Sequence, residues 1–237
     1  MAKTRNAPGR WRWVKWLFIV PIVLFLAVQA YFLVQIWWWR DHNPEMTAFM
    51  RQQLSAMRET DPNAKIVQQW VPYERISVKL KRAIIASEDA NFSEHDGVDW
   101  DALEQAYERN EKRKKVTHGG STITQQLAKN LFLSGSRSYL RKGQELIIAY
   151  MLEGVLDKRR IFEIYLNVVE FGRGIYGAEA AARHYYKIPA SKLGPAQAAR
   201  LAVMLPNPRY YDAHRSTRYL NRRTDIILRR MGASDVP

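Results

Sequence analysis

From Trp16 to Trp39 the chain carries no charged residue, and Gln29 and Gln35 are the strongly polar side chains of that stretch. At helical rise it is long enough to cross a hydrocarbon layer of about 30 Å, and inside lipid its backbone polar groups are satisfied only within a helix or a closed barrel. A transmembrane helix over residues 16–39 is therefore expected. Trp11, Trp13 and Trp16 at one end, with Trp37, Trp38 and Trp39 at the other, fit the aromatic belts of a membrane interface. A cleaved leader fits less well, because its apolar part would be shorter and would end in small residues rather than three tryptophans.

Charge sets the direction of crossing. Lys3, Arg5, Arg10, Arg12 and Lys15 precede the span with no acid among them, whereas Arg40 is soon followed by Asp41 and Glu45. The positive-inside rule then places residues 1–15 in the cytoplasm as a basic tail and the rest beyond the membrane. The formal charge of the 237 residues is +14; six of the 37 basic residues and none of the 23 acidic ones lie in residues 1–40, which leaves an excess of eight beyond them. An exported basic domain beside a membrane suits anionic headgroups or lipid-linked phosphates. The run Arg109, Lys112, Arg113, Lys114 and Lys115 reads as the solvated end of a helix, since export removes nucleic acid as a partner. The chain has no cysteine, so disulfides do not enter.

Residues 40–75 read as a connecting region with a short helical stripe, Met46, Phe49, Met50, Leu54 and Met57, then a turn at Asp61-Pro62-Asn63 and a strand at Ile66 to Val71. The stripe suits a membrane surface or an ordinary packed helix equally. Residues 76–237 are helical in pattern almost throughout. Helices are expected at residues 77–90, 99–114, 121–133, 139–157, 159–170, 176–187, 195–205 and 216–231, with stop signals at Gly172, Gly174, Pro189, Pro206-Asn207-Pro208 and Gly232. The fold class is all-α.

Several segments could carry chemistry. In Gly119-Gly120-Ser121-Thr122-Ile123-Thr124-Gln125-Gln126-Leu127-Ala128-Lys129-Asn130, Thr122 and Gln125 fit a capping box, and Gln125 and Lys129 share a face one turn apart. Such a face suits an anionic, polyhydroxylated ligand such as a sugar phosphate; a capped surface helix is the plain alternative. Glu88-Asp89 closes a helix at its negative dipole end, where local structure does not favour acids. The run Ala83-Ile84-Ile85-Ala86 implies partial burial of Glu88, which would raise its pKa and suit a general base; a surface acid paired with lysine is the other reading.

Glu145 opens a helix that is apolar on most faces, so it needs a partner, and Arg141 lies one turn earlier. Glu88 and Glu145 could face one another across a cleft, with Lys129, Arg137 and Arg141 supplying positive charge for a phosphate; structural ion pairing is the alternative. Asp99-Trp100-Asp101 reads as a helix cap rather than a metal motif, and His95 as a structural residue of its turn. Neither His95 nor His118 has metal-ligand spacing.

Three ordered motifs, Glu88-Asp89-x-x-Phe92-x-x-His95-x-Gly97, Gly120-Ser121-Thr122-Ile123-Thr124-Gln125-Gln126-x-x-Lys129-Asn130 and Arg141-Lys142-x-x-Glu145, resemble those of the peptidoglycan glycosyltransferases, glycosyltransferase family 51. This is the polymerase domain of class A penicillin-binding proteins and of their monofunctional relatives. Ile161-x-x-x-Tyr165-Leu166-Asn167, with Gly172, Gly174, Gly177, Ala180-Ala181 and Tyr185-Tyr186, is similar to a fourth motif, and Ala198 to Pro208 to a fifth. Together they cover roughly residues 70–210. No Ser-x-x-Lys occurs, so the likeness is to the monofunctional type, without a transpeptidase domain.

The resemblance implies a lysozyme-like all-α domain over residues 76–237, with a small membrane-associated jaw, behind the single N-terminal span. It implies polymerisation of lipid II into β-1,4-linked glycan at the bacterial inner membrane, with the catalytic domain periplasmic. Glu88 would take the proton of the acceptor's 4-hydroxyl, and Glu145 would assist at the departing undecaprenyl pyrophosphate, by holding a divalent ion or by orienting basic residues. Lys129 and Arg137 match pyrophosphate contacts, with Arg141 a further candidate, while Ser121, Gln125 and Gln126 match positions lining the sugar sites. Mg2+ or Mn2+ at the pyrophosphate, and no organic cofactor, are the expectations. Lipid II, the growing glycan, the membrane and cell-wall synthesis or division proteins are the implied partners, with no nucleic acid. A lysozyme-like hydrolase and a non-catalytic membrane-anchored scaffold are the rival readings; a hydrolase has no need of Lys129 and Arg137 beside its acids.

Overall fold

The computed structural model describes residues 10–113, 120–133 and 138–237. Helix α1, Arg10–Trp38, holds the uncharged stretch up to Trp38, and Trp39 lies just past its end. Leu17, Phe18, Leu24 and Leu26 on it are more than half exposed, and its span Lys15–Trp38 is long and apolar enough to cross a membrane. Its far end is different: Ile36 is fully buried, and Phe32 and Trp39 pack against the core.

The remaining helices follow the sequence periodicity closely. They are α2 (Ala48–Arg58), α3 (Val78–Glu88), α4 (Trp100–Arg113), α5 (Ile123–Phe132), α6 (Tyr139–Val155), α7 (Lys158–Val168), α8 (Ala178–Tyr186), α9 (Pro195–Met204), α10 (Pro208–Ala213) and α11 (Arg218–Arg230). Helix α2 packs on α5 and buries Met50 and Met57, so these two residues of the stripe belong to a packed helix, while Met46 before it is exposed. Helix α5 lies between α6 and α7, while α3 packs on α9 and α11. Arg109 and Lys112 are exposed near the end of α4, bonded to Gln105 and Glu108, as a solvated helix end requires. Lys114, Lys115, His118 and Arg137 lie outside the described residues.

Two features depart from the expected pattern. The strand at Ile66 to Val71 shrinks to β1, Val67–Gln68, and two unexpected strands follow α7: β2 (Glu170–Gly172) and β3 (Ile175–Tyr176). The sheet order is β1-β3-β2, with Val67 opposite Ile175 in parallel and Glu170 opposite Tyr176 antiparallel. The glycines read as helix stops build this hairpin: Gly174 takes φ +74° at its turn, a conformation that costs glycine little. Helix α10 is the second departure; it starts at Pro208, a favoured first helical residue. Asn167 ties α7 to the connecting region, accepting from the Val71 N–H at 3.0 Å and donating to the Val71 carbonyl at 3.0 Å. That bond pair anchors a segment whose own β pairing is two residues long.

Candidate active site

The N-terminus of α5 organises the site. Thr122 caps it, accepting from the Gln125 N–H at 3.2 Å, while the Gln125 side chain accepts from the Thr122 N–H at 3.3 Å. This is the capping box expected from the sequence. The Thr122 hydroxyl also donates to the Gly97 carbonyl at 2.6 Å, and Gly97 holds φ +86°. The loop after α3 is thus sewn to the start of α5.

Asp89 makes the second stitch. It is buried at the end of α3 and accepts from the Ile123 N–H at 2.9 Å, while its other oxygen meets His95 Nε2 at 2.9 Å. A carboxylate at the positive end of α5 is well placed by the helix dipole, and His95 holds it there. Asp99 caps α4, accepting from the Ala102 N–H at 2.7 Å, and takes a further bond from Asn91 at 3.0 Å. Both readings from the sequence, a capping Asp99 and a structural His95, agree with this geometry.

These stitches place Glu88 beside α5. The Gln126 amide donates to Glu88 Oε2 at 2.9 Å, and the Tyr165 hydroxyl donates to Gln126 Oε1 at 2.9 Å. Tyr165 is fully buried on α7, and burial pushes its phenol well above the ordinary value, so it stays protonated and remains a donor. Since Tyr165 claims the amide oxygen, Gln126 must present its NH2 to Glu88. Burial raises the Glu88 pKa above its ordinary 4.5, against the bonds from Gln126 and Ser87 and the charge of Arg223 on α11.

One turn further along α5, Lys129 is partly buried, and loss of water pulls its pKa below the usual 10.5. Its ammonium feels the Glu145 carboxylate most among charges, then Arg141 and Lys142, and also Glu88. Glu145 is buried on α6 and fully engaged: Arg141 Nη1 donates to Oε2 at 2.6 Å, and Lys142 Nζ donates to Oε1. Lys142 reaches across to α5 as well, donating to Ser121 Oγ at 3.0 Å and Gln125 Oε1 at 3.2 Å. Glu88, Asn91, Gln105, Gly120 and Ser121 line one cavity of about 240 Å³, and Ser138, Tyr139, Arg141 and Lys142 line another of about 410 Å³. Through its bond to Lys142, Ser121 connects the acid end to the cationic end.

One expectation needs correction. Gln125 does not share an open face with Lys129: it is 2% exposed, and its side-chain oxygen serves the cap and Lys142. Lys142 and Tyr165 touch the site beyond the residues expected there. For Lys142 the signal was present, three residues before Glu145 on a helix. Larger still, at about 600 Å³, is a cavity between α2 and α10 lined by Arg173, Arg209, Asp212 and Arg215. There Glu170 pairs with Arg209 and Asp212 with Arg215, so its arginines are largely countered.

The relay to Glu88 is testable. In Tyr165→Phe the Gln126 amide is free to turn, so the rate of a reaction that uses Glu88 as its base is expected to fall about tenfold, the scale of one bond to a charged group. Because the Gln126 bond lowers the Glu88 pKa, its loss should move the acid limb of the pH–rate profile upward. An unchanged limb would show that Tyr165 does not orient the amide.

Residues 53–232 match the family model described as Transglycosylase. Among curated relatives, the chain is 67% identical over 222 residues to a biosynthetic peptidoglycan transglycosylase of Herminiimonas arsenicoxydans, covering 94% of this chain and 96% of the relative. It is 68% identical over 222 residues to one from Janthinobacterium sp. (strain Marseille), with 94% and 96% coverage. It is 57% identical over 236 residues to one from Burkholderia thailandensis, covering 100% of this chain and 92% of the relative.

Proposed function

This chain belongs to the transglycosylase family and is a peptidoglycan glycosyltransferase of cell-wall biogenesis with a lysozyme-like all-α fold; we propose that it polymerises lipid II through a base at Glu88 and a cationic pyrophosphate site on α5 and α6. The observation that carries the division of roles is geometric: Gln126 of α5 holds Glu88 at 2.9 Å, while Arg141 and Lys142 gather on Glu145 and Lys142 reaches Ser121 at 3.0 Å. In the proposed step the acceptor's 4-oxygen attacks the anomeric carbon of the growing chain, and its proton passes to Glu88. The bond to undecaprenyl pyrophosphate breaks with inversion, and the electron pair leaves on the phosphate. One carboxylate at the nucleophile suffices for an inverting transfer. Lys129, Lys142 and Arg141, with Arg137 by resemblance, stabilise the charge that gathers on the leaving group. Glu145 keeps Arg141 and Lys142 aimed at it, and Ser121 and Gln126 border the sugar path.

The carboxylates do not fit a protein-held divalent ion at the pyrophosphate. Both Glu145 oxygens carry cations already. Asp89, His95 and Asp99 bring ligand atoms within 4.8 Å of one another, yet Asp89 holds the start of α5 and Asp99 the start of α4. Mg2+ or Mn2+ is accordingly proposed as an ion bound by the diphosphate's own oxygens, and no step above uses it.

We place α1 across the bacterial inner membrane with the N-terminus cytoplasmic and the catalytic domain periplasmic, on the charge asymmetry around it. Cell-wall synthesis or division proteins are the proposed protein partners. Incubating the purified full-length chain with labelled lipid II, with and without magnesium, should give polymer; monomer alone after long incubation would overturn the reading. Lys129→Ala is expected to raise KM for the lipid-linked donor about ten- to a hundredfold, the worth of a hydrogen bond to a charged group. Unchanged donor affinity would remove Lys129 from the pyrophosphate site.

A further inference from the structure

Gln29 sits inside the apolar span of α1, nine residues before its end at Trp38. Leu26 and Val28 beside it are 58% and 46% exposed, yet Gln29 is 8% exposed. Its amide forms a reciprocal pair with Gln144 of α6: Gln29 Nε2 donates to Gln144 Oε1 at 3.0 Å, and Gln144 Nε2 donates to Gln29 Oε1 at 2.9 Å. Two antiparallel bonds between planar groups fix both the height and the rotation of one helix against the other. Apolar packing alone fixes these less sharply, because neighbouring ridges of α1 offer similar surfaces.

Helix α6 stands between the anchor and the site. Gln144 faces α1, while Glu145, the next residue, faces Arg141 and Lys142 on the cationic side. The same anchor grips α5 through Phe32 and Trp39, whose rings lie 4.7 and 5.2 Å from that of Phe132. Gln29 lies in the span read as membrane-crossing, nine residues short of Trp38. Tyr139 and Leu140, at the start of α6, are 98% and 89% exposed, as residues meeting lipid would be. An amide within such a span needs a partner, and each glutamine satisfies the other.

We propose that Gln29 is a positioning residue: its amide pair with Gln144 sets the register of the anchor against α6 and so fixes how far the cationic end of the groove stands from the membrane. This rests on reading α1 as a membrane anchor and α5 and α6 as the pyrophosphate site.

The chain has no cysteine, so Gln29→Cys/Gln144→Cys creates one unique thiol pair. The full-length double variant, in phospholipid vesicles, is treated with a short bis-methanethiosulfonate linker and assayed on labelled lipid II before and after reduction. The linked form is expected to work near the parental rate. The reduced form should lose about tenfold in kcat/KM, mostly through KM, with thermal unfolding unchanged. Failure of the linker to join α1 to α6, or equal activity of linked and reduced forms, would overturn the proposal. Cross-linking is scored on the protein itself, and failure of the functional reading shows in the parent before any variant is compared.

Discussion

Glu88→Gln is expected to lower polymerisation by about 10²–10⁴-fold, the range of a general base, while leaving the chain at least as stable as the parent at neutral pH. The two halves of that result have one cause. Burial raises the Glu88 pKa, so the folded chain binds this proton more tightly than the unfolded one. Its stability contribution is complete below the ordinary value of 4.5 and is lost as pH rises through the higher folded value. At neutral pH the parent therefore carries the cost of a charged carboxylate in a partly dry site, and glutamine removes it. Gln126 keeps an acceptor, because the glutamine oxygen can stand where Oε2 accepts its amide. Lipid II turnover and thermal unfolding together check the prediction. Full activity would defeat the base assignment, and a lowered unfolding temperature would make the role of Glu88 structural.

Glu145→Ala should damage both stability and turnover. Removing this buried acid leaves Arg141, Lys142 and Lys129 facing one another with their shared counter-charge gone. Breaking a fully buried pair costs about 3–5 kcal/mol; the loss here should fall somewhat below that, because the Lys142 side chain is 38% exposed. Turnover should drop about 10²-fold or more, since the cations are no longer aimed at the leaving group. Inorganic pyrophosphate should raise the unfolding temperature of the variant more than that of the parent, because an anion in solution takes the place of the carboxylate. Equal shifts would mean that Arg141 and Lys142 do not meet the diphosphate.

What could be read in the chain follows from range. Thr122 with Gln125, and Asp99 with Ala102, are local pairs, and both were legible as caps from three-residue spacing. Long amphipathic segments such as α7 announce themselves by periodicity. The β2–β3 hairpin did not, because strands of three and two residues show no alternation and run on from a helix. Gln125 misled because a polar residue at helical spacing looks exposed until a partner from α6 covers it. The Tyr165–Gln126–Glu88 relay joins residues 39 and 38 positions apart, and the Gln29–Gln144 pair joins residues 115 apart. Those contacts exist only once the helices have packed. Glu88 stands out in the sequence because its place at a helix end breaks a local rule, and the pairing of Glu145 with Arg141 could be read because a buried acid must have a partner.

The sign of the pH dependence tests the central claim most directly. Measured as kcat/KM on lipid II, the rate should rise with pH through a value above 4.5, as Glu88 ionises, and fall again below 10.5, as Lys129 loses its proton. Lys129→Arg, whose guanidinium keeps its charge, should push the alkaline limb upward and leave the acid limb in place. A rate that climbs as the medium is acidified through the first limb would mean that Glu88 works with its proton on, and that would contradict the account.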